Sequence, residues 1–443
     1  MRIGLFRSML ASATMIAASC SGVAPTVGPS PSDPVARSDE PSRPKAPPTS
    51  ASVSSIPPAT PLPLAGSGPL TISWHRVQQA STPTVPLDGF TVSATTGDRT
   101  VVATRSVDGT AAFWLTRDGI AWQRTMLQGE AEAAEVRDLA VGPHGFIAVG
   151  DGDGGAAAWI SQNGESWERV EAPAFAGGRG WHVATTAVAL VMFGDSGAPD
   201  HAGRAWRSTD GRSWQLSTDA SSLEVADGVR SVISGAERET AFVVPGWRGD
   251  GRRQGPAEVW QTSDGDAWTR VSTLGAEVID DIVAATSGPV GWVALGSRSA
   301  GGVDERLAWT SVDGIDWQAA PSGPHHVTTI VADPAGFIVV GGRDTVGGCT
   351  DRLSDYDGET WTSTDGRAWH HVPFDPQFAR ATIQALYVRD RTLFGIGTAF
   401  LPYDGDFRET AAVWEAQLPD ERSLPGPEPS PIPAPTTEPG CGG

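Results

Sequence analysis

Lysine is almost absent. Lys45 stands alone, and arginine carries nearly all the positive charge of this 443-residue chain. Acidic residues number 52 against 32 basic ones, so the formal net charge is −20, with no basic block to interrupt it. That balance disfavours sequence-independent attraction to nucleic acid or to an anionic lipid surface, and no nucleic-acid partner is expected. Tyrosine and cysteine are scarce, three of each. The chain also lacks a G-x-S-x-G elbow, a zincin helix and a phosphate-cradling loop, which removes the common sequence signatures of those chemistries. What it does have is 39% hydrophobic content, enough for a large core, and 17 tryptophans.

The start of the chain reads as an export signal. Arg2 and Arg7 precede a short apolar run, Met9 to Ala18, too short to span a bilayer as a mature helix. Its end, Ala17-Ala18-Ser19-Cys20, resembles the lipobox of bacterial lipoproteins. That resemblance implies cleavage before Cys20, acylation of its sulfur, and a mature protein anchored in the lipid bilayer on the extracytoplasmic side of the cell membrane. Ordinary secretion with Cys20 discarded is the alternative. Residues 21–67 are rich in proline, serine, alanine and threonine and should form a semi-extended tether, and 421–443 form a similar proline-rich tail. Cys349 and Cys441 remain in the exported body, where an oxidising compartment favours a disulfide between them over free or intermolecular thiols.

Six tryptophan pairs recur at a constant spacing of eight: 114/122, 159/167, 206/214, 260/268, 309/317 and 361/369. Between them runs W-x-[S/T]-x-[D/N]-G-x-x-W, as in "WTSTDGRAW" at 361–369. A three-residue hairpin loop closed by a left-handed glycine would place Thr116 opposite Ile120 and Trp114 opposite Trp122, making each pair a directly opposed cross-strand couple. Aspartate or asparagine at the turn would accept from nearby backbone N–H groups, so the motif reads as a hairpin lock and not as catalytic.

Ahead of each hairpin lies a second pair of apolar runs, beginning near 89, 136, 181, 229, 278, 327 and 382. Each unit thus holds four strands, which is one propeller blade. The seventh unit is split: 411–418 supplies Trp414 without a turn, and 70–77 supplies an orphan strand whose Trp74-His75-Arg76-Val77 echoes Trp167-Glu168-Arg169-Val170. The expected fold is therefore all-β, one seven-bladed β-propeller of four-stranded blades over 68–420, closed by pairing the N-terminal strand with the last blade. The repeats resemble Asp-box (BNR-repeat) propellers, which include sialidases, and more loosely the YCF48-type assembly-factor propellers. They depart from S-x-D-x-G-x-T-W by one missing residue between Asp and Gly. In both families the motif is structural, so the resemblance implies fold.

The segments joining the second and third strands of each blade differ most in length, and long loops on a rigid scaffold commonly carry binding residues. The candidate face gathers Trp247, Arg248, Arg252, Arg253, Arg306, Arg343, Tyr356, Asp357, Tyr403 and Asp404 from blades 4 to 7. Arginine with aromatics suits a glycan, a peptide or an envelope protein, and solvated loops with locally cancelling charges are the plainer reading. No cofactor is expected, although "DYDGE" (355–359) and "YDGDF" (403–407) offer oxygens to calcium without matching an EF-hand loop. His325-His326 and His370-His371 lack metal-site spacing. No tyrosine nucleophile with a glutamate partner can be picked out, and no Arg-Ile-Pro motif stands near the N-terminus. The expectation is a monomeric, membrane-anchored, non-catalytic binding propeller, with a sialidase-like hydrolase or an assembly scaffold as alternatives.

Overall fold

The computed structural model describes residues 70, 72–77, 88–105, 111–128, 135–186, 188–197, 203–217, 242–243, 257–274, 281–300, 303–344, 356–403 and 406–418. These residues form strands, apart from two single turns of 3-10 helix at Pro173–Phe175 and Pro376–Phe378. The short apolar runs, bounded by glycine and polar turns, leave no stretch long enough for an amphipathic helix.

The first strand, β1 (Trp74–Val77), belongs to the last sheet. The first sheet holds β2 (Asp88–Thr96), β3 (Arg99–Arg105), β4 (Ala111–Thr116) and β5 (Trp122–Arg124). A short strand, β6 (Met126–Gln128), then crosses to run parallel along the second sheet. That sheet holds β7 (Glu135–Gly142), β8 (Gly145–Gly152), β9 (Gly155–Ser161) and β10 (Ser166–Val170). The third holds β11 (Arg179–Thr185), β12 (Leu190–Asp195), β13 (Gly203–Ser208) and β14 (Gln215–Leu216). The fourth has β15 (Phe242–Val243), β16 (Ala257–Gln261) and β17 (Thr269–Leu274). The fifth comprises β18 (Asp281–Gly288), β19 (Gly291–Ala300), β20 (Val303–Ser311) and β21 (Gln318–Ala319). The sixth comprises β22 (Val327–Asp333), β23 (Gly336–Asp344), β24 (Tyr356–Ser363) and β25 (His370–His371). The last sheet runs β26 (Ala381–Arg389), β27 (Thr392–Tyr403), β28 (Asp406–Gln417) and then β1.

Inner strands pack on inner strands: β2 on β7, β7 on β11, β18 on β22, β22 on β26, and β26 on β2. The architecture is a β-propeller. Its four-strand unit was expected, but the expectation of seven complete blades is corrected to six, because the fourth sheet has three strands among the described residues. The inner strand expected near 229 lies in 218–241, outside those residues. The other six inner strands begin within three residues of the positions expected. β1 pairs antiparallel with β28, with Arg76 opposite Trp414, which repeats the register of Arg169 opposite Trp159.

The hairpin register needs a second correction. Trp114 stands opposite Arg124, and Thr116, not Trp114, stands opposite Trp122. The same two-residue offset recurs as Trp206 opposite Leu216, Trp260 opposite Arg270, Trp309 opposite Ala319 and Trp361 opposite His371. The cause is the turn aspartate. Asp118 Oδ1 accepts from Ile120 N at 2.8 Å and Ala121 N at 2.7 Å, while Thr116 Oγ1 accepts from Gly119 N at 2.9 Å. Side-chain oxygens thus satisfy three backbone donors that a shorter hairpin would have paired across the ladder, and the loop runs over five residues. The expected left-handed glycine is present at every copy, with φ between +72° and +82°.

Diagonal across the ladder and on one face of it, each tryptophan pair plugs the seam with the preceding sheet. Trp159 and Trp167 pack on Phe113, Trp206 and Trp214 on Ile147, and Trp260 and Trp268 on Val191 and Phe193. Trp114 and Trp122 cluster with Tyr387, Phe394 and Val413 of the last sheet. Trp167 is wholly buried and stacks on Phe113 with ring centroids 4.0 Å apart. Burial of a ring this size contributes about 2–3 kcal/mol. The turn glycines close the same seams: a Cβ on Gly119 would overlap Phe394, and one on Gly366 would overlap Val293.

Candidate functional site

One end of the propeller carries the Asp turns together with the hairpins joining first and second strands. The opposite end carries the connections between second and third strands. At the turn end the chemistry is uniform. Asp210 accepts from Arg212 N at 2.8 Å and Ser213 N at 2.7 Å, and these bonds, with those from the Ser208 and Ser213 hydroxyls, bring its pKa down to about 2. Asp264 and Asp313 are lowered in the same direction. Each carboxylate is spent on its own backbone. A groove of about 440 Å³ between the second and third sheets is lined by the turns at Asn163 and Asp210 and by the 142–146 hairpin.

The opposite end repeats a different feature. Five inner strands lose register by one residue near the start of the strand: at Arg137 in β7, Trp181 in β11, Val283 in β18, Thr328 in β22 and Gln384 in β26. A bulge of this kind leaves its residue outside the ladder and re-aims its side chain. Val283, for example, is 38% exposed between Ile282 and Ala284, which are buried. All five lie at the same end of their strands, the end away from the Asp turns. β2 breaks register between Asp88 and Val92.

On the second and third sheets these residues form one cluster. The Arg137 guanidinium lies 3.9 Å from the Trp181 ring centroid and bonds Asp151 Oδ2 at 3.0 Å and Glu135 Oε2 at 2.9 Å. Trp181 Nε1 donates to Asp195 Oδ2 at 2.8 Å, and Asp195 Oδ1 accepts from Gly197 N at 2.6 Å. Asp151 Oδ1 accepts from Gly180 N at 3.0 Å, and Asp138 Oδ2 from Val183 N at 3.0 Å. Both bonds run from the second sheet to the backbone flanking the β11 bulge, so the acids fix the position of Trp181. Burial pushes the Asp151 carboxyl up, against the pull of Arg137. Next to it lies a hollow of about 200 Å³, walled by six glycines with Asp151 and Arg179.

The residues expected to form the site are distributed differently. Trp247, Arg248, Arg252, Arg253 and Asp404 lie outside the described residues, as do Cys20, Cys349 and Cys441. Arg343 stands opposite Asp357, and Tyr356 opposite Asp344, at the end of the β23–β24 ribbon. Asp357 Oδ1 accepts from Arg380 N at 2.9 Å, so it ties this ribbon to the last sheet. Arg306 is opposite Ser297, and Tyr403 opposite Asp406 at the tip of the β27–β28 ribbon. Segments that read as long loops in the fifth and last sheets are thus largely two-stranded ribbons. Among the described residues no three His, Cys, Asp or Glu side chains group as metal ligands. Tyr387 is 4% exposed, stacked on Phe394, and burial drives its hydroxyl pKa far up.

Arg137 and Trp181 were not singled out from the sequence. For Arg137 the signal is a phase slip: Val136 and Leu139 are both buried although three residues apart, whereas a strand with one buried face buries every second residue.

Protein-family models and curated proteins give no match to this chain. Solved structures do. A structure described as YCF48 bound to D1 peptide is similar over 78% of this chain and 97% of its own, at 14% identity and a TM-score of 0.50. The polysaccharide lyase Uly1 is similar over 77% of this chain and 92% of its own, at 8% identity and a TM-score of 0.51. A Trypanosoma rangeli sialidase mutant displaying trans-sialidase activity covers 79% of this chain at 12% identity and a TM-score of 0.40. The likeness is one of fold. Fold does not by itself imply function.

Proposed function

We propose that this protein is a non-catalytic binding propeller, held by acylated Cys20 on the outer face of a cell membrane, with the bulged end as its recognition face. The observation that carries the reading is a backbone device repeated on five inner strands and occupied by a different residue each time. Repetition of the backbone with variation of the side chain is what a recognition surface needs. The described acids at that end are engaged in fixing backbone and in balancing Arg137, which favours positioning over proton transfer. The seven sheets form one ring in this reading, supported by the β1–β28 pairing and by the packing of Trp114 and Trp122 on the last sheet. Membership of the Asp-box group fits the turn chemistry, and a Cys349–Cys441 disulfide would pin the tail. A peptide-bound propeller and a polysaccharide lyase among the similar folds are consistent with a peptide or glycan ligand.

Two measurements test this. Labelling cells with an alkyne fatty acid should tag the wild-type protein and not Cys20→Ser, which should appear in the soluble fraction; equal labelling sinks the anchor. Turnover of fluorogenic sialosides or other glycosides, abolished by Tyr356→Phe or Tyr403→Phe, would replace the binding reading with the hydrolase one.

A further inference from the structure

The five bulged residues are not equivalent in chemistry, and the difference points to a ligand. Val283, Thr328 and Gln384 are uncharged, whereas Arg137 and Trp181 form a preassembled pair. Arg137 is a poor anion receptor because Glu135 and Asp151 already balance its charge at about 3 Å. Its Nη1 has no hydrogen-bond partner among the described residues and remains a donor toward a neutral oxygen. Trp181 is held by its bond to Asp195 before any ligand arrives, which lowers the ordering cost of using its half-buried indole as a platform. Among the described residues, Glu135, Asp138, Asp151 and Asp195 surround the pair, with Arg137 itself, Arg179 at the hollow and His182 3.5 Å from Asp138 as the basic groups, and the chain as a whole is strongly acidic. An anionic ligand would be repelled. The adjoining hollow has room for roughly six waters, and its glycine walls let a ligand reach the backbone.

We propose that the bulged end around Arg137 and Trp181 binds an uncharged oligosaccharide, one sugar ring lying on the face of the Trp181 indole that Arg137 does not cover and its hydroxyls meeting Arg137 Nη1 and the glycine-lined hollow. The inference rests on the binding reading above and names its site and ligand class. A sugar fits better than a peptide because the flat indole matches the C–H face of a pyranose, and because Val283 is the only apolar side chain among the five bulged residues besides Trp181 itself.

The test is calorimetric titration of the full chain in detergent with three probes: a set of neutral hexasaccharides (cello-, manno-, xylo- and malto-oligomers), a hexagalacturonate, and an uncharged decapeptide. The expected result is binding of a neutral hexasaccharide with quenching of tryptophan fluorescence, weakened about tenfold or more by Trp181→Ala. Should Trp181→Ala misfold, Trp181→Phe keeps an aromatic platform without the bond to Asp195 and should weaken binding by a smaller factor, while Arg117→Ala at the turn end leaves it unchanged. Neutral-sugar binding indifferent to folded Trp181 and Arg137→Gln variants overturns the site while leaving the binding reading intact. Preference for the hexagalacturonate or for the decapeptide overturns the ligand class alone. Silence from all three probes counts against both.

Discussion

The two ends of the propeller are built by opposite uses of repetition. At the turn end, backbone and side chain repeat together: Thr or Ser, Asp or Asn, then a left-handed glycine whose N–H is accepted by the Thr or Ser hydroxyl. At the bulged end only the backbone repeats, and arginine, tryptophan, valine, threonine and glutamine take the same place. Uniform chemistry holds sheets together, and varied chemistry on a common frame is what recognition requires. At both ends carboxylates accept from backbone N–H groups: Asp118, Asp210, Asp264, Asp313 and Asp365 in the turns, and Asp138, Asp151, Asp195 and Asp357 at the other end.

The comparison is broken most directly at a seam. Trp167→Ala should cost about 3–5 kcal/mol, since the ring is buried and stacked on Phe113; denaturant unfolding measures it, and a loss below about 1 kcal/mol would contradict the seam role. Next come the turn glycines. Gly366→Ala combines a φ of +72° with overlap on Val293 and should cost about 2–4 kcal/mol, whereas Gly97→Ala, at φ +54° with open space around it, should cost about 1 kcal/mol. Equal losses would mean that backbone strain alone matters and that the turns do not close the seams.

A smaller effect separates charge from geometry. Asp210 has its folded pKa below its unfolded value, so its contribution is present above about pH 4 and is lost as pH falls toward 2. Asp210→Asn should therefore destabilise slightly at pH 7, by under about 1 kcal/mol in this solvent-exposed setting, and hardly at all at pH 2. Asn163 already serves at the corresponding turn, where its Oδ1 accepts from Glu165 N at 3.0 Å. Thermal melts of both proteins across that pH range read the difference directly. Smallest of all, Arg117→Ala removes exposed pairs to Asp98 and Glu165 and should shift stability by only a few tenths of a kcal/mol.

Much of the scaffold was legible in the sequence, because its signals are local. Tryptophan spacing, turn residues and paired apolar runs located six inner strands and the split last sheet. The candidate site was far less legible. Arg137 sits in a run, Glu135–Gly142, that reads as an ordinary strand, and only the three-residue gap between Val136 and Leu139 betrays the extra residue. The long connections drew attention instead, and two of the most conspicuous proved to be extended ribbons.

By itself the sequence determined the four-strand unit, its turns and the left-handed glycine in each, since these depend on residues within ten positions of one another. Tertiary structure decided the rest. The face each tryptophan pair presents is set by the neighbouring sheet. The β11 bulge that brings Trp181 onto Arg137 is fixed by hydrogen bonds that Asp138 and Asp151 of one sheet accept from the backbone of the next. Those partners lie 45 and 29 residues apart in the chain, beyond the reach of any local pattern.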